Sequence, residues 1–263
     1  MLIEKQSNVR IKELVRLYEQ TSKHSNYQIL PSQLQELIPS EQIHVKTRYE
    51  KERMSYIKKK IDWKDSCFCD IGCNCGFFSF EALELGAKKG TLYEGNQVHA
   101  DFVKLAAKIL NVESQITVHN DYFSFEWNTA EKYDVVLLLN VLHHIGDDYG
   151  NVKSIDNAKD YILKMLKCMT SYTNKLIVQL GFNWMGNRTL GLFKGGTKEE
   201  MIRWIKEGTK DNWVISSIGI ACEDDGKICY RDLNEDNVKR NDEMGEFLNR
   251  PIFIMDNVSM YRL

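Results

Sequence analysis

The sequence predicts an α/β protein: a doubly wound, mostly parallel sheet of seven strands with an N-terminal helical extension. Three observations carry that expectation. From Ser66 onward, short apolar segments alternate with stretches of helical apolar spacing. A glycine-bearing turn joins the first of these segments to a helix, and two further strand-like segments follow after the alternation has ended.

In chain order, residues 9–20 place Ile11, Leu14, Val15 and Tyr18 on one helical face. Pro31 and Pro39 bracket a short Leu-containing piece. A second helix is expected from about Lys46 to Lys60, with a thin apolar side of Tyr49, Tyr56 and Ile57 from which Met54 departs. Strands are expected at 66–71, 90–94, 115–119, 133–139 and 173–180, with helices at about 76–86, 97–110 and 155–170 between them. In the last of these helices Ile155, Ala158, Ile162, Leu166 and Met169 recur at helical spacing. Strands fed by crossover helices form parallel sheets covered on both faces. Thr197 and Glu200 form a capping box that opens another helix. Strands at 212–221 and 251–258 supply an antiparallel ending, and the polar stretch 222–249 reads as a long loop or insertion. Residues 1–60 form the extension and 61–263 the main domain.

The 263 residues, 43% of them hydrophobic, suffice for one large core. A net charge of −2 gives no general attraction to polyanions, which disfavours bulk nucleic-acid binding. The opening Met-Leu-Ile-Glu-Lys turns charged at once, and the longest clean apolar run, Val135 to Leu139, is far too short to cross a bilayer. A cytoplasmic protein without a membrane partner is the expectation. Four of the seven cysteines crowd together as Cys67, Cys69, Cys73 and Cys75. Their C-x-C-x₃-C-x-C spacing is not that of paired zinc knuckles, so they are read as small fillers of a buried strand and its turn, and no metal is expected.

The chemistry concentrates in Cys67-Phe-Cys-Asp-Ile-Gly-Cys-Asn-Cys-Gly-Phe-Phe78, a strand, a tight turn and a helix start. Gly72 and Gly76 let the backbone approach a ligand. The turn reads D-x-G-x-x-x-G, with Asn74 where a pyrophosphate cradle prefers glycine, and the acidic Asp70 ahead of it suits a cofactor bearing a cationic amino group. The second strand ends in Glu94, 22 residues after Gly72, where a carboxylate can accept hydrogen bonds from both hydroxyls of an adenosine ribose. The third ends in His119-Asn120-Asp121, which puts a polar side chain where an adenine amino group donates.

On these residues the chain resembles the class I, Rossmann-like S-adenosylmethionine (SAM)-dependent methyltransferases, closely over residues 66 to about 181 and more loosely to 258. The resemblance implies SAM as cofactor and S-adenosylhomocysteine as product. It implies that Asp70, Gly72 and Gly76 line the methionine part, with Cys73 and Asn74 also in the cofactor-binding turn. Glu94 would hold the ribose, Asp121 the adenine amino group, and Asn140 would sit beside the sulfonium. The family's first motif usually has Gly-x-Gly at its centre, and here Asn74 replaces the second glycine.

Acceptors enter such folds over the strand ends, so the loops after strands four and five matter most. The fourth strand is followed by Asn140-Val-Leu-His-His-Ile145, which resembles a segment of small-molecule methyltransferases. A histidine there suits a general base, and His143 and His144, being adjacent, point in different directions, so at most one faces the acceptor. The segment is not the Asn-Pro-Pro-Tyr type that grips an amino group. After strand five, Gly181-Phe-Asn-Trp-Met-Gly-Asn-Arg188 offers Trp184 and Arg188 to a polar, anionic or sugar-like ligand. The leading expectation is therefore methylation of a small molecule or glycan precursor at oxygen. The alternatives are a tRNA-modifying enzyme, for which Lys58-Lys59-Lys60 offers phosphate contacts, and a non-catalytic SAM-binding module.

Overall fold

The computed structural model describes residues 2–20, 28–38, 43, 47–125 and 131–261, with side chains described from residue 9 onward. Pro39 and the expected helix start at Lys46 lie outside the described residues. Contacts divide the chain into two compact units, Met1–Met54 with Asp62–Phe123, and Ser55–Ile61 with Ser124–Leu263. Among the described residues no helix is long and apolar enough to cross a membrane. None of the seven cysteines, all of them described residues, is in a disulfide.

The first unit holds α1 (Leu2–Glu19), α2 (Ser32–Gln35), the start of α3 (Glu50–Ile57), β1 (Cys67–Ile71), α4 (Phe77–Glu84), β2 (Lys89–Tyr93), α5 (Gln97–Ile109) and β3 (Ile116–His119). Its strands pair in parallel in the order β3-β2-β1. The register sets Asp70 opposite Leu92 and Ile71 opposite Tyr93, so the ends of β1 and β2 lie side by side. Leu14, Leu17 and Tyr18 of α1 are buried, and the Tyr18 ring packs 5.6 Å from that of Phe102 on α5. The opening of α3 departs from its thin apolar stripe. Met54 is buried, and so are Glu50 and Arg53, at 0% and 3% exposure. Arg53 stacks 4.7 Å over Phe78 and donates through Nε to the Arg48 carbonyl, while Glu50 accepts from the Arg48 amide and the Thr47 hydroxyl. A charged pair with its hydrogen bonds met internally can occupy a buried face that a hydropathy pattern assigns to solvent.

The second unit continues α3 and adds β4 (Tyr133–Leu139), α6 (Ile155–Cys168), β5 (Thr173–Gln179), α7 (Lys198–Thr209), β6 (Trp213–Asp224), β7 (Lys227–Asp232), α8 (Gly245–Leu248) and β8 (Ile252–Asn257). β4 and β5 pair in parallel, and β5-β8, β8-β6 and β6-β7 pair antiparallel. Val135 to Leu138 are all buried, as a parallel strand covered on both faces requires.

Among the described residues the strand count is eight, against the seven expected, because β7 lies inside the stretch read as a loop. The turn that makes it is Asp225-Gly226, with φ of 48° and 74°, which returns the chain along an extended β6. Five strands keep the expected parallel pairing. The rest of the polar segment forms the short α8 and a turn held by Asn249, whose amide nitrogen donates to the Asn241 and Gly245 carbonyls.

Candidate cofactor turn and acceptor loops

In the first unit, β1 ends in a turn that folds back on the neighbouring strand. The N–H groups of Gly72 and Cys73 both donate to the Tyr93 carbonyl, at 2.8 and 3.2 Å. Gly72, Asn74 and Gly76 all adopt the left-handed region, with φ of 73°, 53° and 76°. At Gly76 a Cβ would also stand 3.0 Å from the Phe80 ring and 3.3 Å from Val103, so α4 starts against α5 with no room for a side chain. Asn74 keeps the backbone that a glycine would give. Asparagine tolerates this region because its short polar side chain bonds locally, here by accepting the Cys75 N–H at 2.9 Å.

Glu94, just past β2, is the centre of this half-site. It is 9% exposed. Its Oε2 accepts the Asn74 N–H at 2.7 Å and its Oε1 the Asn96 N–H at 2.8 Å. The Asn120 side chain donates to the Glu94 carbonyl at 2.9 Å, tying the end of β3 to that of β2. Each carboxylate oxygen retains a further acceptor direction beyond its one backbone bond, which is what two ribose hydroxyls require.

Asp70 is 3% exposed and accepts the Ser79 hydroxyl at 2.6 Å. Burial pushes its carboxyl up to about 7; the Ser79 bond opposes the rise and the nearby Glu94 charge adds to it. Cys73 and Cys75 are each 1% exposed, and burial together with the Glu94 charge pushes both thiols up, so they stay protonated and act as apolar filling. Asp121 stands on an exposed tip with its carboxylate on the Tyr122 N–H. The structure thus gathers Asp70, Gly72, Cys73, Asn74, Gly76 and Glu94 around one turn, and sets Asp121 at the end of the third strand.

In the second unit, Asn140 follows β4 with φ of 63°. Its N–H donates to the Gln179 carbonyl, its amide nitrogen to Gln179 Oε1 at 2.9 Å, and its Oδ1 accepts from Arg250 Nη1 at 2.8 Å. Arg250 is in turn held by Glu246 through Nε and Nη2, and Glu246 also accepts the Phe182 N–H at 3.0 Å. Burial alone would raise the Glu246 carboxyl, but Arg250 and the Phe182 N–H outweigh it and hold the group below its ordinary value. Gln179, Glu246 and Arg250 were not anticipated. The Glu246/Arg250 spacing of four shows in the sequence as a helix-type pair, yet nothing local ties it to Asn140, 110 residues away.

The two histidines differ in setting. His143 is 2% exposed and its Nδ1 accepts the Gly181 N–H at 3.2 Å, which assigns the ring proton to Nε2. Burial, then the charges of Arg250 and His144, push it well below the ordinary histidine value. His144 is the more open ring. Its Nδ1 lies 3.6 Å from Asp148 and 3.9 Å from Asp147, and ligand atoms of all three lie within 4.8 Å of one another. The N–H groups of Asp147 and Asp148 both donate to the His144 carbonyl, which folds the two carboxylates back toward the ring. Trp184 is 6% exposed and its indole N–H donates to the Ile145 carbonyl at 2.6 Å, so it braces the loop after β4. Arg188 is exposed on the same segment as Trp184.

No family model and no curated protein sequence matches the chain. Solved structures do. Two structures of WbdD match with TM-scores of 0.54 and 0.52, at 17% and 15% identity over 95% and 92% of this chain. The chain spans only 41% and 48% of those WbdD chains. Magnesium protoporphyrin IX methyltransferase (ChlM) from Synechocystis PCC 6803, crystallised with bound SAM, matches with a TM-score of 0.50 at 15% identity, over 80% of this chain and 78% of its own. At such identities the likeness shows a shared Rossmann-like α/β fold.

Proposed function

We propose that the chain is a SAM-dependent methyltransferase that moves a methyl group to a hydroxyl of a polar small molecule or glycan precursor. One observation carries the reading: the turn after β1 holds Glu94 by the Asn74 N–H, with left-handed backbone at Gly72, Asn74 and Gly76. That cradle fits an adenosyl cofactor, since each oxygen of its carboxylate is anchored by one backbone N–H and keeps acceptor capacity for one hydroxyl donor. When bound, the cofactor supplies an electrophilic methyl group for in-line transfer. The chain's residues then have separable tasks. Glu94 orients the ribose, Asp121 receives the adenine amino group, and Asp70 faces the charge of the amino end. Asn140, locked by Gln179 and Arg250, presents a fixed amide beside the reacting centre. His144 takes the acceptor hydroxyl's proton, and Asp147 and Asp148 stand close enough to balance the charge it gains. His143, with Nδ1 committed to Gly181, shapes the loop. Trp184 and Arg188 divide the same way: Trp184 as brace, Arg188 as the exposed cation for an anionic acceptor.

The test is direct. Calorimetry with S-adenosylhomocysteine should show binding, and incubation with SAM and a panel of hydroxylated metabolites should give a product heavier by one methylene. Heat with NAD and none with either adenosyl compound would sink the reading. An RNA acceptor is disfavoured because Lys60, in the one tri-lysine run, is engaged by Asp232 at 2.8 Å and lies over the Tyr56 ring. RNA retention that falls steeply with salt would reverse that preference. Binding without turnover on either panel would leave a non-catalytic module.

Asp70 supplies a second expected outcome. Its folded value is raised from 3.8 to about 7, so the folded protein binds a proton that the unfolded chain does not between about pH 4 and 7. Stability from this group therefore falls as pH rises through that window and is flat above it. A cationic amino group favours the carboxylate, so at pH 7 cofactor binding should release about half a proton. Titrations in buffers of different ionisation enthalpy measure this, and Asp70→Asn should abolish the release.

A further inference from the structure

We propose that His99 is a positioning residue of the cofactor half-site, holding the Asn74 side chain so that the turn keeps Glu94 aimed at the ribose hydroxyls. The inference rests on the cofactor reading above and adds a residue that lies outside the glycine motif.

His99 sits in the first turn of α5 and is 3% exposed. Its Nδ1 lies 3.4 Å from Asn74 Nδ2. An amide nitrogen only donates, so this bond needs Nδ1 without a proton, the neutral ring protonated at Nε2. The orientation of the Asn74 amide follows from its other end, where Oδ1 accepts the Cys75 N–H at 2.9 Å. A flipped amide would set its NH₂ against the Cys75 N–H, donor against donor. Both ends of this side chain are therefore committed, and the left-handed backbone at Asn74 is clamped from its own side chain. That backbone aims the Asn74 N–H at Glu94 Oε2, 2.7 Å away.

The same histidine reaches the other carboxylate oxygen's support. Asn96 caps α5 by accepting the Val98 and His99 N–H groups, and its own N–H holds Glu94 Oε1. His99 Nδ1 lies 3.9 Å from that oxygen. One buried ring thus braces the turn through Asn74 and belongs to the cap whose Asn96 N–H holds the other oxygen of Glu94. A glycine at position 74 would need no such brace; an asparagine there has a side chain to be placed, and His99 places it.

Four proteins decide the matter: wild type, His99→Asn, His99→Leu and His99→Gln. Asparagine puts an acceptor oxygen near the place of Nδ1, leucine fills the space without one, and glutamine reaches the Nε2 position instead. Calorimetry measures binding of S-adenosylhomocysteine and of its 2′,3′-dideoxy analogue, with melting curves as a folding control. His99→Leu should weaken S-adenosylhomocysteine about 3- to 10-fold, the worth of one hydrogen bond, while changing the dideoxy analogue by less than about twofold. His99→Asn should restore the natural ligand to within about twofold. Should the leucine variant not fold, His99→Gln replaces it with the same expected loss. Equal weakening of both ligands, no weakening, or a loss in His99→Asn as large as in His99→Leu overturns the inference while leaving the cofactor reading intact. Failure of the wild type to bind S-adenosylhomocysteine overturns both.

Discussion

Replacing Glu94 by alanine is expected to weaken S-adenosylhomocysteine binding by about 100-fold or more. Each hydrogen bond to a charged acceptor is worth about 1.5–3 kcal/mol, and two ribose hydroxyls lose theirs together, so a loss of about 3 kcal/mol or above follows. The protein itself also loses order, because the N–H groups of Asn74 and Asn96 both end on this carboxylate. With Glu94 9% exposed, those donors gain little water in exchange, and the turn after β1 relaxes from its left-handed path. Glu94→Gln separates the two effects. It keeps the shape and one acceptor oxygen but faces a backbone N–H with an NH₂ group, so about a tenfold loss is expected, with a fall in melting temperature smaller than in the alanine variant. Isothermal titration measures both. Binding of the alanine variant within threefold of wild type would mean that the ribose lies elsewhere.

Arg250→Met should lower the melting temperature by about 4–8 °C, the shift that about 2 kcal/mol produces in a chain of this size. Removing one member of a well-buried ion pair costs about 3–5 kcal/mol, and the figure here is reduced because the Arg250 and Glu246 side chains keep 13% and 26% exposure. Glu246 would stay behind with the Phe182 N–H and the weaker influence of the Arg240 charge, and Asn140 would lose the donor on its Oδ1. Asparagine at φ of 63° is held by such bonds, so its amide should loosen and turnover should fall while cofactor affinity stays close to wild type. Hydrogen exchange at the Phe182 amide reports the same event locally, and it should quicken in the variant. Arg250→Lys, a single point charge without the guanidinium fork, should fall between the two. Unchanged melting and unchanged Phe182 exchange would show that the pair carries no structural weight.

What could be read in the chain was governed by short-range rules. The strands at 66–71, 90–94, 115–119, 133–139 and 173–180 came out within about two residues of β1 to β5, since buried parallel strands are continuous apolar runs bounded by polar ends. The helices opened by Asn96, Ser154 and Thr197 carry capping side chains at those residues, each accepting from N–H groups at the start of its helix. Asp225-Gly226 was equally local, a hairpin signal that the polar composition around it obscured.

By itself, then, the sequence determined the order of strands and helices over the alternating region, the glycine turn after the first strand and the distance from Gly72 to Glu94. These are properties of neighbours along the chain, set by side-chain period, turn chemistry and capping. Only the tertiary structure decided that Asn74 keeps a glycine's backbone, that Asn74 and Asn96 each hold one oxygen of Glu94 with His99 beside them, that Glu50 and Arg53 are buried, and that Arg250 reaches Asn140. It also gave the two histidines different neighbours, the Gly181 N–H for His143 and two carboxylates for His144. The physical reason is the same in each case. A buried polar group must find its partner wherever the folded chain brings one, and the partner's identity is fixed by three-dimensional proximity, which no window along the sequence contains.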